Sequence, residues 1–440
     1  MTLEEGFERH LAALGLPAGP ALVAVSGGAD SLALLALLAR SPAAAGLRLE
    51  VAHVDHGIQP GSGDVAERVR AAAARYGLPF HLRCLDLGPH ASETTARLRR
   101  YEALAHIAAE AGTRLLLTAH HRDDQVETVL MRVLNGSGPA GLAGIPSRRG
   151  ALVRPLLPFS RAELAAYAAA AGLDPWADPA NRNPRHLRSW LRMSVLPLLR
   201  ERIPDVDHRL LALARQAGLD RAAWDALISG LPALEFRSEK AGVSVAAAPL
   251  GGYDSVVLRA LLAALGRRIG VVIGPARAGR IERLLAQGRS GAVAELGADS
   301  AAELSFDRLR LFRGAERPWK GVPVGVGGAG RVRVGEWVLE WSSEPAPDRL
   351  ERVSAETWLP AGAYLVRPAR SGDRIRPLGG PGRRLVVRCL QEARVARSRR
   401  AAWPVVESDG IPVWVPGVCR SAECLPVPGS PALRMRAYLR

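Results

Sequence analysis

An apolar run from Ala21 to Val25 stops at Ser26-Gly27-Gly28-Ala29-Asp30-Ser31 and gives way at once to a helical pattern, Leu32 to Arg40. The order is strand, glycine turn, helix start. A helix amino terminus presents unpaired N–H groups and the positive end of its dipole, and glycines let a phosphate come close to that backbone. The two serines add hydroxyl donors. Asp30 would repel phosphate unless a divalent cation lay between them, which makes the turn a candidate site for a magnesium nucleotide. Ser and Asp are also ordinary helix caps, so turn chemistry alone fits a purely structural turn as well. The segment carries no Gly-Lys-Ser/Thr phosphate loop, and its glycines are not spaced as a dinucleotide fingerprint.

Strand and helix signals alternate through the first half. Strands are expected at Ala21 to Val25, Leu47 to Val54, Phe80 to Leu87 and Arg114 to Thr118, with helices near Asp30 to Arg40, Asp64 to Tyr76 and Ser92 to Ala111. This alternation predicts an α/β fold, a doubly wound parallel sheet covered by helices on both faces. Ligands of such sheets sit beyond the carboxyl ends of the strands. Three segments fall there: Ser26 to Ser31, His53-Val54-Asp55-His56-Gly57, and Ala119 to Thr128.

At 440 residues the chain exceeds one compact core, and two or three domains are expected. A Ser160-Arg161-Ala162-Glu163 capping box opens a helix that ends before Gly172, and a basic helical stretch runs from His186 to Arg202. Boundaries are placed at 1–205 for a nucleotide-activating domain, 206–320 for a helical middle domain and 330–440 for a smaller α+β domain. In the last, Val332 to Trp341, Tyr364 to Arg367 and Ile411 to Val415 alternate as strands do, and Gly321 to Gly330 reads as a linker. The net charge of +16 favours a polyanionic partner, nucleic acid first. Of 59 basic residues only Lys240 and Lys320 are lysines; codon bias can choose arginine over lysine, but it does not by itself explain the excess over acids. Four scattered cysteines without a C-x-x-C pair indicate neither a disulfide scaffold nor a zinc knuckle. With no signal-peptide pattern and no membrane-length apolar run, a cytoplasmic protein is expected.

The densest chemistry is Thr118-Ala119-His120-His121-Arg122-Asp123-Asp124-Gln125-Val126-Glu127-Thr128. In a helix starting near Asp123, His120 would lie close to Asp124, and Asp123 close to Glu127. Such a cluster at a strand's carboxyl end suits magnesium, a substrate amine or a base to deprotonate it. The alternative is that the first-turn acids only complement the helix dipole.

Taken with this cluster, the loop Ser26 to Ser31 resembles the pyrophosphate loop of ATP pyrophosphatases. The succession of these segments, with Ala96-Arg97, Arg100-Tyr101, Gly136-Ser137-Gly138, Arg154-Pro155-Leu156-Leu157, Asp178-Pro179-Ala180-Asn181, Leu191-Arg192, Gly372-Asp373-Arg374 and Val413 to Gly417, resembles the tRNA(Ile)-lysidine synthase family. The match covers nearly the whole chain except the middle. It departs at Ser189, where Asn is usual, and at Arg383 to Arg388, where lysines are common.

The resemblance implies an adenine nucleotide α-hydrolase-like sheet. It also implies ligation of free L-lysine to the wobble cytidine of the CAU-anticodon tRNA(Ile), with ATP and Mg2+ and through an adenylated cytidine. Ser26, Gly27, Gly28, Ala29, Asp30, Ser31, His53 and Val54 are assigned to ATP, Asp30 also to Mg2+ through the nucleotide. Asp124 and Glu127 are assigned to the lysine ammonium, His120 to positioning or deprotonating it, and Arg97 to the activated cytidine. Arg188, Arg192, Arg383, Arg384, Arg388, Arg397 and Arg400 are read as tRNA contacts, the first two as a backbone track on one helix face. Trp176, Trp190, Trp403 and Trp414 are read as core packing before base stacking. No membrane partner is expected, and a homodimer is left open. The rival readings are a tRNA thiolase on the same loop, a GMP-synthesising amidotransferase and a non-catalytic tRNA-binding protein.

Overall fold

The computed structural model describes residues 2–55, 62–85, 87, 93–176, 187–239, 241–297, 299–314, 318–325 and 328–439. The chain forms two compact units, Met1–Ala222 and Ala223–Arg440. His56, Gly57 and Asp178 to Asn181 of the sequence analysis lie outside the described residues.

The first unit runs α1 (Leu3–Ala13), β1 (Gly19–Ala24), α2 (Ala29–Arg40), β2 (Leu47–Asp55), α3 (Ser62–Arg75), β3 (Phe80–Cys84), α4 (Glu93–Glu110), β4 (Leu115–Leu117) and α5 (Arg122–Leu134). It continues with α6 (Pro139–Leu142), β5 (Arg148–Arg149), β6 (Leu152–Val153), α7 (Arg161–Ala170), α8 (Leu187–Trp190), a π-helical turn (Leu191–Val195), α9 (Leu196–Arg202) and the start of α10 (Val206–Gly230). One sheet, ordered β3-β2-β1-β4-β6-β5, is parallel except at its edge β5.

Alternate residues of β1 explain why both faces must be covered. Ala21 and Val23 point into a core with Leu34, Leu38, Val69 and Leu164, while Leu22 points the other way against Ala52, Val54, Leu104 and Ile107. A strand buried on both faces reads as an unbroken apolar run. Burying Leu22 completely contributes roughly 1.5–3 kcal/mol. Ser160 caps α7 as the capping box predicts, accepting from Glu163 N at 3.2 Å.

In this strand order β1 is flanked by β2 and β4, so successive crossovers leave it in opposite directions. The crevice that opens at such a reversal lies between the carboxyl ends of β1 and β4. The segments after both strands, Val25 to Gly28 and Thr118 to His121, border it.

The second unit carries the expected middle helices, the remainder of α10, α11 (Ser255–Arg268) and α12 (Pro275–Gln287), together with a sheet that the sequence reading did not include. Strands β7 (Arg237–Glu239), β8 (Gly242–Ala246), β9 (Val293–Gly297), β10 (Ser300–Ser305) and β11 (Arg308–Arg313) form it in the antiparallel order β7-β8-β11-β10-β9.

Two more sheets follow. One is β12-β16-β19-β20-β21, from Val322–Val324, Tyr364–Pro368, Pro404–Ser408, Ile411–Val415 and Cys419–Arg420. The other is β13-β14-β22-β15, from Gly330–Val334, Trp337–Pro345, Pro431–Leu439 and Glu356–Pro360. Strands β17 (Arg374–Ile375) and β18 (Arg384–Leu385) pair beside helices α13 (Val386–Glu392) and α14 (Arg397–Arg400). Two local expectations are corrected here. Val332 to Trp341 is a hairpin that turns at Gly335, whose φ of 58° suits glycine, and the linker read at Gly321 to Gly330 contains β12, paired with β16. Among the described residues no helix is long and apolar enough to cross a membrane.

Candidate active site

The turn after β1 is built around Ser31. Its hydroxyl donates to Gly28 O at 2.9 Å and receives Ser26 N and Ser26 Oγ, each at 3.2 Å. This inward tie fixes the loop. Gly28 sits at the helix cap with no capping side chain, so the N–H groups of Ala29 and Asp30 are left for a ligand, while Ser31 N donates to Gly28 O at 3.1 Å. Gly27 has φ +88°, and a Cβ there would stand 2.6 Å from Val65 Cγ1, so only glycine fits. Asp30, in the first turn, has its Oδ1 buried without a protein partner.

The second segment enters from β4. His121 is the cap of α5: Asp124 Oδ2 accepts from His121 N at 3.0 Å, and His121 Nδ1 accepts from Asp124 N at 3.4 Å. His121 Nε2 then lies 3.5 Å from Asp30 Oδ2, joining the two loops across the crevice. Burial works against charge on His121, but the Asp30 hydrogen bond and the carboxylates of Asp124, Asp30 and Asp123 raise its pKa above the usual value. His120 instead turns to Thr118, Nδ1 to Oγ1 3.0 Å. Burial, reinforced by the charges of Arg154, Arg97 and Arg188 against the opposing Asp124, pushes His120 down to about 4. Burial alone would raise Asp124, but His121 and Arg188, with the backbone bond from His121, hold it below the usual carboxylate range.

The partners expected from helical spacing are therefore rearranged. His121 rather than His120 clasps Asp124, because α5 begins at Arg122 and the preceding residue takes the cap. Asp123 does not meet Glu127; it accepts from Arg161 N at 2.8 Å. Glu127, 1% exposed, is gripped by Arg188 Nε at 2.7 Å and by Arg192 Nε and Nη2 at 2.5 and 2.9 Å. Arg188 Nη2 also reaches Asp124 Oδ1 at 2.8 Å. The two arginines share a face as read, yet that face meets the acids of α5 instead of forming an outward track. The π-helical turn that begins at Leu191 carries Arg192, and such turns cluster at functional sites.

The remaining assignments are distributed as follows. His53, 5% exposed, is bonded through Nδ1 to Val25 O at 2.8 Å and braces the ends of β1 and β2; Val54 packs into the α4 face. Arg97 is exposed on α4, its guanidinium 5.3 Å from the Tyr101 ring. In the second unit Arg383 faces Glu423, Arg384 faces Glu392, Arg388 is exposed, Arg397 Nη1 donates to Gly291 O, and Arg400 Nε donates to Val395 O. Trp176 packs against the first core, Trp403 and Trp414 against another, and Trp190 is 44% exposed.

Sequence reasoning assigned no role to two residues that the site uses. One is His121, which the spacing to Asp124 marks as a reciprocal cap. The other is Arg154, 6% exposed at the carboxyl end of β6 and hydrogen-bonded to Pro146 O at 2.8 Å. Its signals were the Arg154-Pro155-Leu156-Leu157 run within the family resemblance and a charged residue directly after the apolar pair Leu152-Val153.

Residues 3–199 match the PP-loop domain family and residues 365–436 the TilS substrate C-terminal domain. A tRNA(Ile)-lysidine synthase of Symbiobacterium thermophilum is 33% identical over 94% of this chain and 92% of its own. One from Alkalilimnicola ehrlichii is 35% identical over 91% of this chain and 90% of its own. One from Salinispora tropica is 46% identical over 47% of this chain and 65% of its own. With relatives of one kind aligned along nearly their whole length, and a nucleotide loop and carboxyl-terminal domain of the matching type, the chain belongs to the tRNA(Ile)-lysidine synthase family.

Proposed function

We propose that the chain joins free L-lysine to C2 of the cytidine at wobble position 34 of the CAU-anticodon tRNA(Ile). ATP first adenylates the C2 oxygen with release of diphosphate; the lysine side-chain amine then displaces AMP, and the lysidine formed changes reading from AUG to AUA. The observation that carries the proposal is the His121–Asp30 contact, 3.5 Å, which unites the glycine loop and the acid cluster at one crevice.

In the first step the loop Ser26 to Ser31 receives the departing diphosphate, chiefly on the amides at the start of α2 that the loop leaves without a protein acceptor. Asp30 fits a cation, since its buried Oδ1 lacks a partner, and a magnesium ion held there would offset charge on the phosphates. His121 orients Asp30 from behind. With the side chains of His53 and Val54 engaged elsewhere, contact to adenine or ribose falls to their backbone. Arg97 and Arg154 supply positive charge for the activated cytidine.

In the second step the amine must be neutral to attack. Asp124 and Glu127 attract the ammonium, while Arg188 and Arg192 beside them favour loss of its proton to solvent water by charge repulsion. A His120 with a pKa of about 4 is a neutral hydrogen-bonding partner that aims the amine, and too weak a base to deprotonate it. Grip on tRNA is assigned to Arg383, Arg384, Arg388, Arg397 and Arg400, in a division of labour of catalytic residues 1–205, middle 206–320 and carboxyl-terminal 330–440. The cytoplasm, where ATP, lysine and tRNA meet, is the expected location, and homodimer formation is read by light scattering.

Diphosphate release should require the CAU-anticodon transcript, and release of AMP, with diphosphate beyond one equivalent per tRNA, should require lysine as well. Release that follows glutamine or a sulfur donor instead would give the site to a rival chemistry.

A further inference from the structure

Within the second unit, a cleft of about 310 Å³ opens between the turn after α12 and helix α14. Gln287, Arg289, Gly291, Gln391, Arg397 and Arg400 line it, and no carboxylate does so among the described residues. Its volume is at the lower end of the roughly 300–1,000 Å³ of small-ligand sites.

The cleft is assembled by a buried polar network. Glu303 of β10, fully buried, accepts from Arg397 N at 2.7 Å, Ser398 N at 3.3 Å and Ser398 Oγ at 2.5 Å. Arg310 of β11 donates to Ser398 Oγ at 2.7 Å and to Glu239 at 2.6 Å. This network spends its carboxylates on the backbone and hydroxyl of α14 and on Arg310, and leaves the guanidiniums of Arg397 and Arg400 to neutral carbonyls, Gly291 O at 3.1 Å and Val395 O at 3.0 Å. Arg289 is exposed and has no ion pair among the described residues. Burial, with Arg397 alongside and Glu303 opposing, lowers the pKa of Arg400. Three arginines line the cleft beside two carboxamides that can add neutral donors, a set whose chemistry suits an anion.

We propose that this cleft seats one phosphate group, held by Arg289, Arg397 and Arg400. The phosphate comes from the tRNA backbone or from a free phosphate; only the first source rests on the function proposed above.

The test compares the full wild-type chain with Arg289→Ala and Arg289→Glu, at a site whose exposure leaves the cores untouched, and with Arg400→Gln. Two quantities are read: broadening of the 31P signal of inorganic phosphate, and tRNA affinity across a salt series. If the RNA backbone is the source, Arg289→Ala weakens tRNA binding severalfold and lowers the salt slope by about 1, Arg289→Glu weakens it further, and phosphate competes. If a free phosphate is the source, the variants lose 31P broadening while tRNA affinity and slope stay as in wild type. Unchanged broadening and unchanged tRNA binding in all three variants would overturn the proposal. Lysine- and tRNA-dependent AMP release by the wild-type chain, measured alongside, decides the proposed function independently of this outcome.

Discussion

Replacing Arg192 by alanine probes the junction on which the acid cluster rests. Glu127 is 1% exposed and takes three guanidinium hydrogen bonds, two of them from Arg192. Hydrogen bonds to a charged group contribute about 1.5–3 kcal/mol each, and a buried carboxylate robbed of its partner costs about 3–5 kcal/mol. Arg188 stays in place, and the Arg192 side chain is 27% exposed, so water refills part of the gap and reduces the loss. The expected destabilisation is about 2–4 kcal/mol. At roughly 2–4 °C per kcal/mol for a unit of this size, the melting transition of the first unit falls by roughly 4–16 °C. Glu127→Gln keeps an acceptor and leaves two partly exposed guanidiniums that water can solvate, so it costs less, about 1–2 kcal/mol. The double variant should then show a coupling of about 0.5–3 kcal/mol. Denaturant unfolding of the four proteins, with lysine transfer measured in parallel, gives the cycle. If Arg192→Ala melts within a degree of wild type and the two single costs simply add, the buried clasp is not what holds these groups together.

Asp30→Ala should abolish tRNA-dependent diphosphate release while tRNA affinity stays within twofold; retention of release would remove Asp30 from the first step. Gly27→Ala meets a left-handed backbone and the Val65 methyl together, for a cost of roughly 1–3 kcal/mol and weaker ATP binding, read by unfolding and nucleotide titration. His120 resists protonation in the folded chain, down to about 4, whereas the unfolded chain protonates near 6.5. Its contribution to stability is therefore complete above pH 6.5 and is lost as pH falls toward 4, at most about 3 kcal/mol. His121, raised, runs the opposite way and loses its contribution as pH climbs above 6.5. His120→Asn should flatten the acid side of the melting profile between pH 7.5 and 5, and an unaltered profile would count against this burial.

What could be read from sequence followed how local the signal was. β1 stood out because a strand buried on both faces shows as an unbroken apolar run, β2 because Leu47, Leu49 and Val51 alternate with charged residues before the apolar end, and the Ser26 to Ser31 turn because glycine and serine chemistry is written in consecutive residues. The middle sheet was illegible for the opposite reason. Ser300-Ala301-Ala302-Glu303-Leu304-Ser305 is poor in strand-forming side chains, and it becomes β10 only through its pairing with β9 and β11. The same limit applied at the site. The spacing of Arg188 and Arg192 put them on one face, but periodicity does not say what a face meets, and it met Glu127. Which of two adjacent histidines capped α5 depended on a helix start that shifted by one residue.

The arginine surplus has a similar division. Arg367 is 2% exposed and clasps Asp373 at 2.8 and 2.9 Å and Glu407 at 2.5 Å. Arg420, 1% exposed, donates instead to Thr357 Oγ1, Trp358 O and Cys424 O at 3.0, 3.1 and 2.8 Å. These are tasks for a rigid planar fork, which a lysine ammonium lacks, so part of the arginine count belongs to the interior and says nothing about RNA. Exposed pairs such as Arg383–Glu423 contribute only about 0–1 kcal/mol, so a phosphate can displace the carboxylate at small cost. The clasp of Arg367 admits no such exchange. Net charge thus points to a polyanion, but it is burial and the strength of existing partners that decide which arginines are able to meet it.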